Sequence, residues 1–131
     1  MLKVQTKKMD TVAVLCLQGQ IVTGETELLR NAVYSLSEDQ SELNSVILDF
    51  ARVTTVDAGG LGTMLALREQ LESKGIRFAL MNVTSLVRKV LEITRLDSVF
   101  QITSGVEFFP RGLRSRRTAL AADGAARAWC A

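Results

Sequence analysis

The residues best placed to do chemistry form one run, Asp57-Ala58-Gly59-Gly60-Leu61-Gly62-Thr63. They follow the apolar stretch Val46-Ile47-Leu48-Asp49-Phe50, which is too short for a buried helix and reads as an interior strand. A strand that leads through glycines into a helix start is where open α/β sheets place their sites, and the free N–H groups of that start favour an anion. Nucleotide binding is therefore the first chemistry to test. The run lacks the G-x-x-x-x-G-K-[ST] and G-x-G-x-x-G spacings, and no lysine is placed to reach a phosphate. The Asp57 carboxylate would also repel one. A small-ligand or nucleotide site at this helix start stays only as an alternative. The purely structural account makes Asp57 an N-cap, Gly59 and Gly60 a tight turn, and Gly62 the point of a close helix–sheet approach.

The rest of the composition narrows the chemistry further. Among the 131 residues there is no histidine, which excludes imidazole acid/base catalysis, Ser-His-Asp and Cys-His nucleophiles, and imidazole metal ligation. Cys16 and Cys130 lie near opposite ends of the chain and make no metal or redox spacing. Cys16, inside an apolar strand, reads as a small buried hydrophobe. No enzyme, metal or cofactor is expected.

The length suits one domain, and no apolar run approaches the ~20 residues that would cross a bilayer. The charged start MLKVQTKKMD is unlike a signal peptide, so a cytoplasmic protein without membrane insertion is expected. The net charge of +2 is unevenly spread. Residues 110–131 hold five arginines (Arg111, Arg114, Arg116, Arg117, Arg127) and Asp123, giving +4 and leaving −2 for residues 1–109. The basic character belongs to the tail, and no direct DNA binding is expected of the domain.

The elements that must position the run follow from periodicity. Leu2 to Lys8 and Val12 to Leu17 read as a hairpin, the second strand apolar on both faces and closed by Gly19. Thr23-Gly24-Glu25 starts a helix with Leu28, Leu29, Ala32, Val33 and Leu36 inward. The strand from Val46 follows, with Ala51 to Val56 leading off it. After the glycines, Leu61, Met64, Leu65 and Leu71 mark a buried helical face, Arg68 and Glu72 pair outside, and Gly75 ends the helix. Ile76 to Met81 is a strand. A third helix runs from about Thr84 with Leu86, Val87, Val90 and Leu91 inward, then Ser98 to Ile102 is a short strand and Gly105 to Phe109 a turn or short helix. The order β-β-α-β-α-β-α-β describes an α/β domain with a mixed, mostly parallel sheet, an N-terminal β-hairpin and helices on the sheet. Residues 1–109 form this domain. Residues 110–131 are an Arg/Ala-rich tail, either an irregular extension or a helix from Thr118 to Trp129 that packs back or swaps onto a neighbour.

Taken together, V-I-L-D-F, D-A-G-G-L-G, Gly75-Ile76-Arg77-Phe78-Ala79-Leu80-Met81-Asn82 and Leu86-Val87-Arg88-Lys89-Val90-Leu91-Glu92 resemble a STAS domain, the fold of bacterial anti-sigma factor antagonists and of sulfate-transporter tails. The resemblance covers roughly Met1 to Phe109. It implies a regulatory binding module rather than an enzyme, whose partner is an anti-sigma factor or a related ATPase-fold serine kinase. It places partner contact on Asp57, Ala58, Gly59, Gly60, Leu61, Gly62 and Thr63. In such antagonists the kinase phosphorylates a serine directly after the aspartate, and a group of about −2 charge there breaks the complex. Here that position is Ala58, which cannot be phosphorylated. Thr54, Thr55 and Thr63 are the nearby hydroxyls, and Gln20-Ile21-Val22 stands where the family commonly has an acidic residue. The same resemblance also fits a STAS subunit of a transporter or stress-sensing assembly, and leaves room for pairing with a second copy.

Overall fold

A computed structural model describes residues 2–38 and 43–104. The segments expected over 105–109 and 110–131 lie outside the described residues. The elements are β1 (Lys3–Met9), β2 (Val12–Ile21), α1 (Glu27–Glu38), β3 (Ser45–Val56), α2 (Ala58–Ser73), β4 (Arg77–Met81), α3 (Ser85–Ile93) and β5 (Gln101–Thr103), in the expected order. They build one five-stranded sheet of order β1-β2-β3-β4-β5, in which β1 is antiparallel to β2 and the other neighbours are parallel.

Each parallel crossover steps one strand in the same direction. Right-handed connections then put α1, α2 and α3 on one face of the sheet. The side-chain alternation agrees. Ala13, Leu15 and Leu17, Val46, Leu48 and Phe50, and Phe78 and Leu80 share one core with Leu29, Val33, Met64, Leu71, Val87 and Leu91 of the helices. Phe78 and Phe100 meet there with ring centroids 6.2 Å apart.

Two strands run further than their sequences imply. Gly19 does not close β2; with φ +115 it is absorbed into a strand that continues to Ile21 past two register shifts. Likewise Ala51 to Val56 does not leave β3. It pairs with the extended β2 through Gln18↔Arg52, Gly19↔Val53, Gln20↔Thr55 and Ile21↔Val56. Because β4 pairs only with Ser45 to Asp49, the distal part of β3 is held by β2 alone. The two strands carry a narrow ribbon beyond the sheet, and the ribbon delivers the chain to Asp57.

The first helix starts later than expected, and the buried faces differ in detail. α1 begins at Glu27, because Thr23 to Thr26 form a loop with Gly24 at φ +87. Leu28 and Leu86, expected inward, are 54% and 59% exposed. Each sits one residue before a buried position (Leu29, Val87) and is rotated about 100° from it. On α2, Leu67 is buried as well as Leu61, Met64 and Leu71, while Leu65 is half-buried. The helix ends as its glycine implies. Gly75 at φ +77 donates to Glu72 O and Ile76 donates to Leu71 O, a Schellman pair. Arg68 Nε and Glu72 Oε2 are 3.2 Å apart on the surface, worth a few tenths of a kcal/mol. Thr84 caps α3, accepting from Val87 N–H.

Phe78 bridges the central sheet and Phe100 and is almost wholly buried. Phe78→Ala is expected to lower unfolding free energy by about 3–5 kcal/mol in urea titration, with an unchanged denaturant slope.

Candidate functional site

The site is assembled where the β2–β3 ribbon ends. Asp57 has extended backbone (φ −106, ψ −176) and is the N-cap of α2. Its Oδ1 accepts from Gly60 N–H at 2.8 Å, and Leu61 N–H donates to its carbonyl at 2.9 Å as the first turn closes. The carboxylate also reaches across 34 residues of sequence. Thr23 N–H lies 3.0 Å from both Oδ1 and Oδ2, and Asp57 N–H donates to Ile21 O at 3.3 Å. One side chain thus fixes the start of α2 and the loop after β2 together. The Gly60 N–H, then the Thr23 N–H, hold the carboxyl below its ordinary pKa of 3.8, against a smaller opposing effect of desolvation. Two N–H groups that could have met a bound anion are occupied by this carboxylate, which weighs against phosphate chemistry.

The glycines do not form a turn. Gly59, Gly60 and Gly62 lie inside α2, and their helical path is needed because the first turn is pressed onto the end of β2. A Cβ on Gly60 would collide with the Ile21 carbonyl, and one on Gly59 with the Thr23 side chain. Gly62 is different. A Cβ there meets nothing within 4 Å, so the close helix–sheet approach expected at Gly62 occurs two residues earlier.

The seven residues singled out by sequence are contiguous but face different ways. Gly60 and Leu61 are buried and support the helix start from below. Asp57, Gly59 and Thr63 are half-buried, and Ala58 and Gly62 are exposed. Ala66, one turn further on, is exposed too, so α2 shows a row of small side chains at 58, 62 and 66. Of the neighbouring hydroxyls, Thr63 donates to Gly59 O at 3.1 Å and Thr54 donates to Gly19 O at 3.2 Å. Thr55 is exposed beside its strand partner Gln20. Thr23 was legible only as a helix start. Its part here is played by its backbone N–H, which no side-chain type signals.

Among the described residues no group of three or more His, Cys, Asp or Glu could hold a metal, and no helix is long and apolar enough to cross a membrane. The STAS domain family matches residues 3–109. BtrV of Bordetella bronchiseptica, named as an anti-sigma factor antagonist, is 28% identical over 106 residues, covering 81% of this chain and 90% of BtrV. The crystal structure of an anti-sigma factor antagonist from Mycobacterium paratuberculosis superposes with a TM-score of 0.68 at 22% identity, covering 78% of this chain and 85% of that one. SpoIIAA of Bacillus in its phosphorylated form gives 0.59 at 20% identity, covering 88% and 99%.

Two measurements test this geometry. Gly62→Ala is expected to stabilise the fold by about 0.5–1 kcal/mol, since a helical glycine gains from a methyl that meets no neighbour. Gly60→Ala should destabilise it by roughly 1–3 kcal/mol or more, because the obstructing atom is backbone. Asp57 supplies a pH test. Its folded pKa is depressed, so its contribution is complete above the ordinary value of 3.8 and is lost as pH falls below that value through the folded one. Thermal melts of the wild type should therefore fall more steeply in acid than those of Asp57→Asn.

Proposed function

We propose that this chain, which belongs to the STAS domain family, is a binding module of the anti-sigma factor antagonist kind, docking its partner through the exposed start of α2 and lacking the hydroxyl that would switch it. The observation that carries the reading is Ala58. It is the first residue of α2, directly after the capping aspartate, and it is exposed. A partner resting on this end of the helix covers Ala58 and Gly62, with Asp57, Gly59 and Thr63 at the margin. Gly60 and Leu61 act from beneath by holding the helix start in place.

The related SpoIIAA exists in phosphorylated and unphosphorylated forms. In this chain the equivalent chemistry has no acceptor at position 58. Thr63 and Thr54 have their hydroxyls committed to backbone carbonyls. The partner is an anti-sigma factor or a related ATPase-fold kinase, bound without release by phosphate. The expected role is regulatory rather than enzymatic.

Incubation with the cognate kinase and ATP should leave residues 54–63 unmodified by mass spectrometry; phosphate mapped there would end the claim of a missing switch. Ala58→Glu places a charge and four extra heavy atoms on the proposed contact. It should weaken partner binding at least tenfold, about 1.4 kcal/mol, while the melting temperature stays near that of the wild type. Unchanged affinity would remove position 58 from the interface.

A further inference from the structure

A groove on the second face of the sheet, away from α1, α2 and α3, brings two cations and two amides together across three strands. In β1, Val4 packs toward the core shared with the helices, so Lys3 and Gln5 project from the other face. The strand register sets their neighbours in rows. Lys3 pairs with Gln18 and Gln18 with Arg52, while Gln5 pairs with Cys16 and Cys16 with Asp49. These residues line one cavity of about 220 Å³. Lys3, Gln5, Gln18 and Arg52 are exposed, and Asp49 is buried among them.

Arg52 reaches this face only through a bulge. Between the pairs Cys16↔Asp49 and Gln18↔Arg52, β3 holds one residue more than β2. Strict alternation from Leu48 and Phe50 would turn Arg52 toward the helices. Instead Val53 takes the next core position, and Arg52 lines the groove beside Asp49. Asp49 holds the irregular stretch, its Oδ1 accepting from Ala51 N–H at 2.9 Å and from Asn82 Nδ2 at 3.2 Å. Bulges commonly re-aim a side chain next to a site.

Neighbouring strands lie about 4.8 Å apart, so the Lys3 and Arg52 backbones stand about 10 Å apart with Gln18 between them. Both side chains are long enough to close on a ligand over Gln18, the guanidinium as a two-pronged donor and the ammonium as a point charge. Gln18 and Gln5 add amide donors. Among the described residues neither cation has an ion-pair partner. Lys3 and Arg52 against Asp49 leave the groove at +1, and part of the Asp49 charge is already met by its two donors. The volume is below the roughly 300–1,000 Å³ of pockets for drug-sized ligands, so the occupant is small.

We infer that this groove binds a small dianionic oxyanion ligand, a phosphate monoester or a short dicarboxylate, held between Lys3 and Arg52 over Gln18. A dianion answers both cations, whereas a monoanion would leave one unmet. The site is on the face opposite α2 and does not depend on how α2 meets a partner.

The test follows the backbone amides of the isotope-labelled full-length chain by NMR during titration with methyl phosphate and, separately, with succinate. At least one probe should shift Gln18, Ala51 and Arg52 saturably with a Kd near or below about 1 mM, and the tighter of the two identifies the oxyanion class. Arg52→Gln should raise that Kd at least about tenfold and Lys3→Gln several-fold, while Arg88→Gln, an exposed change on α3, leaves it unchanged. Absence of saturable shifts in this row with both probes overturns the inference, as does an equal loss in Arg88→Gln. Shifts centred on Thr23, Asp57 and Gly60 overturn it as well and return the anion to the helix start.

Discussion

The structure of the site depends on one carboxylate. Asp57 accepts from Gly60 in its own helix and from Thr23 in a loop 34 residues earlier, and no other described interaction joins α2's first turn to that loop through a charged group. Such charge-assisted bonds to N–H groups are stronger than neutral ones. They satisfy donors that the helix leaves open and they fix the direction in which α2 departs from the sheet. Ala58 is exposed because Asp57 is anchored beneath it. Asp57 is therefore a structural tie as well as an N-cap, and it is the ionised carboxylate that these N–H groups favour.

A packing constraint accompanies that tie. The first turn of α2 approaches the end of β2 so closely that Gly60 has no room for a methyl group against the Ile21 carbonyl. A helix start with three glycines is weak by propensity. Here it is held from both sides, by the Asp57 cap and by the β2–β3 ribbon that extends past β4. Local weakness is thus offset by tertiary contact, and the site is shaped by backbone rather than by long side chains.

Much of this was legible in the residues. The apolar runs at Val12 and Val46, the helical stripe at Leu61, Met64 and Leu71, the caps at Asp57 and Gly75, and the helix start near Thr84 all report local physics, and they gave the element order. What failed depended on distance. Gly19 and Ala51 to Val56 look like strand ends by type, but each strand prolongs the other once they pair. Leu28 and Leu86 match an amphipathic pattern, yet a helix turns about 100° per residue and the buried positions are their neighbours Leu29 and Val87. The close approach was assigned to Gly62 instead of Gly60, since only the neighbour across the gap separates the two. Thr23 was hidden because a backbone N–H carries no residue signature.

The row Ala58, Gly62 and Ala66 has a thermodynamic consequence. Long polar side chains on a surface lose rotamer freedom when something lies against them, at up to about 1.5–2 kcal/mol each. Alanine and glycine have no such freedom to lose. A surface settling on this stretch of α2 therefore orders almost nothing on this side, and backbone can approach backbone without displacing a side chain. For the docking proposed above, this stretch of α2 is already ordered before a partner arrives.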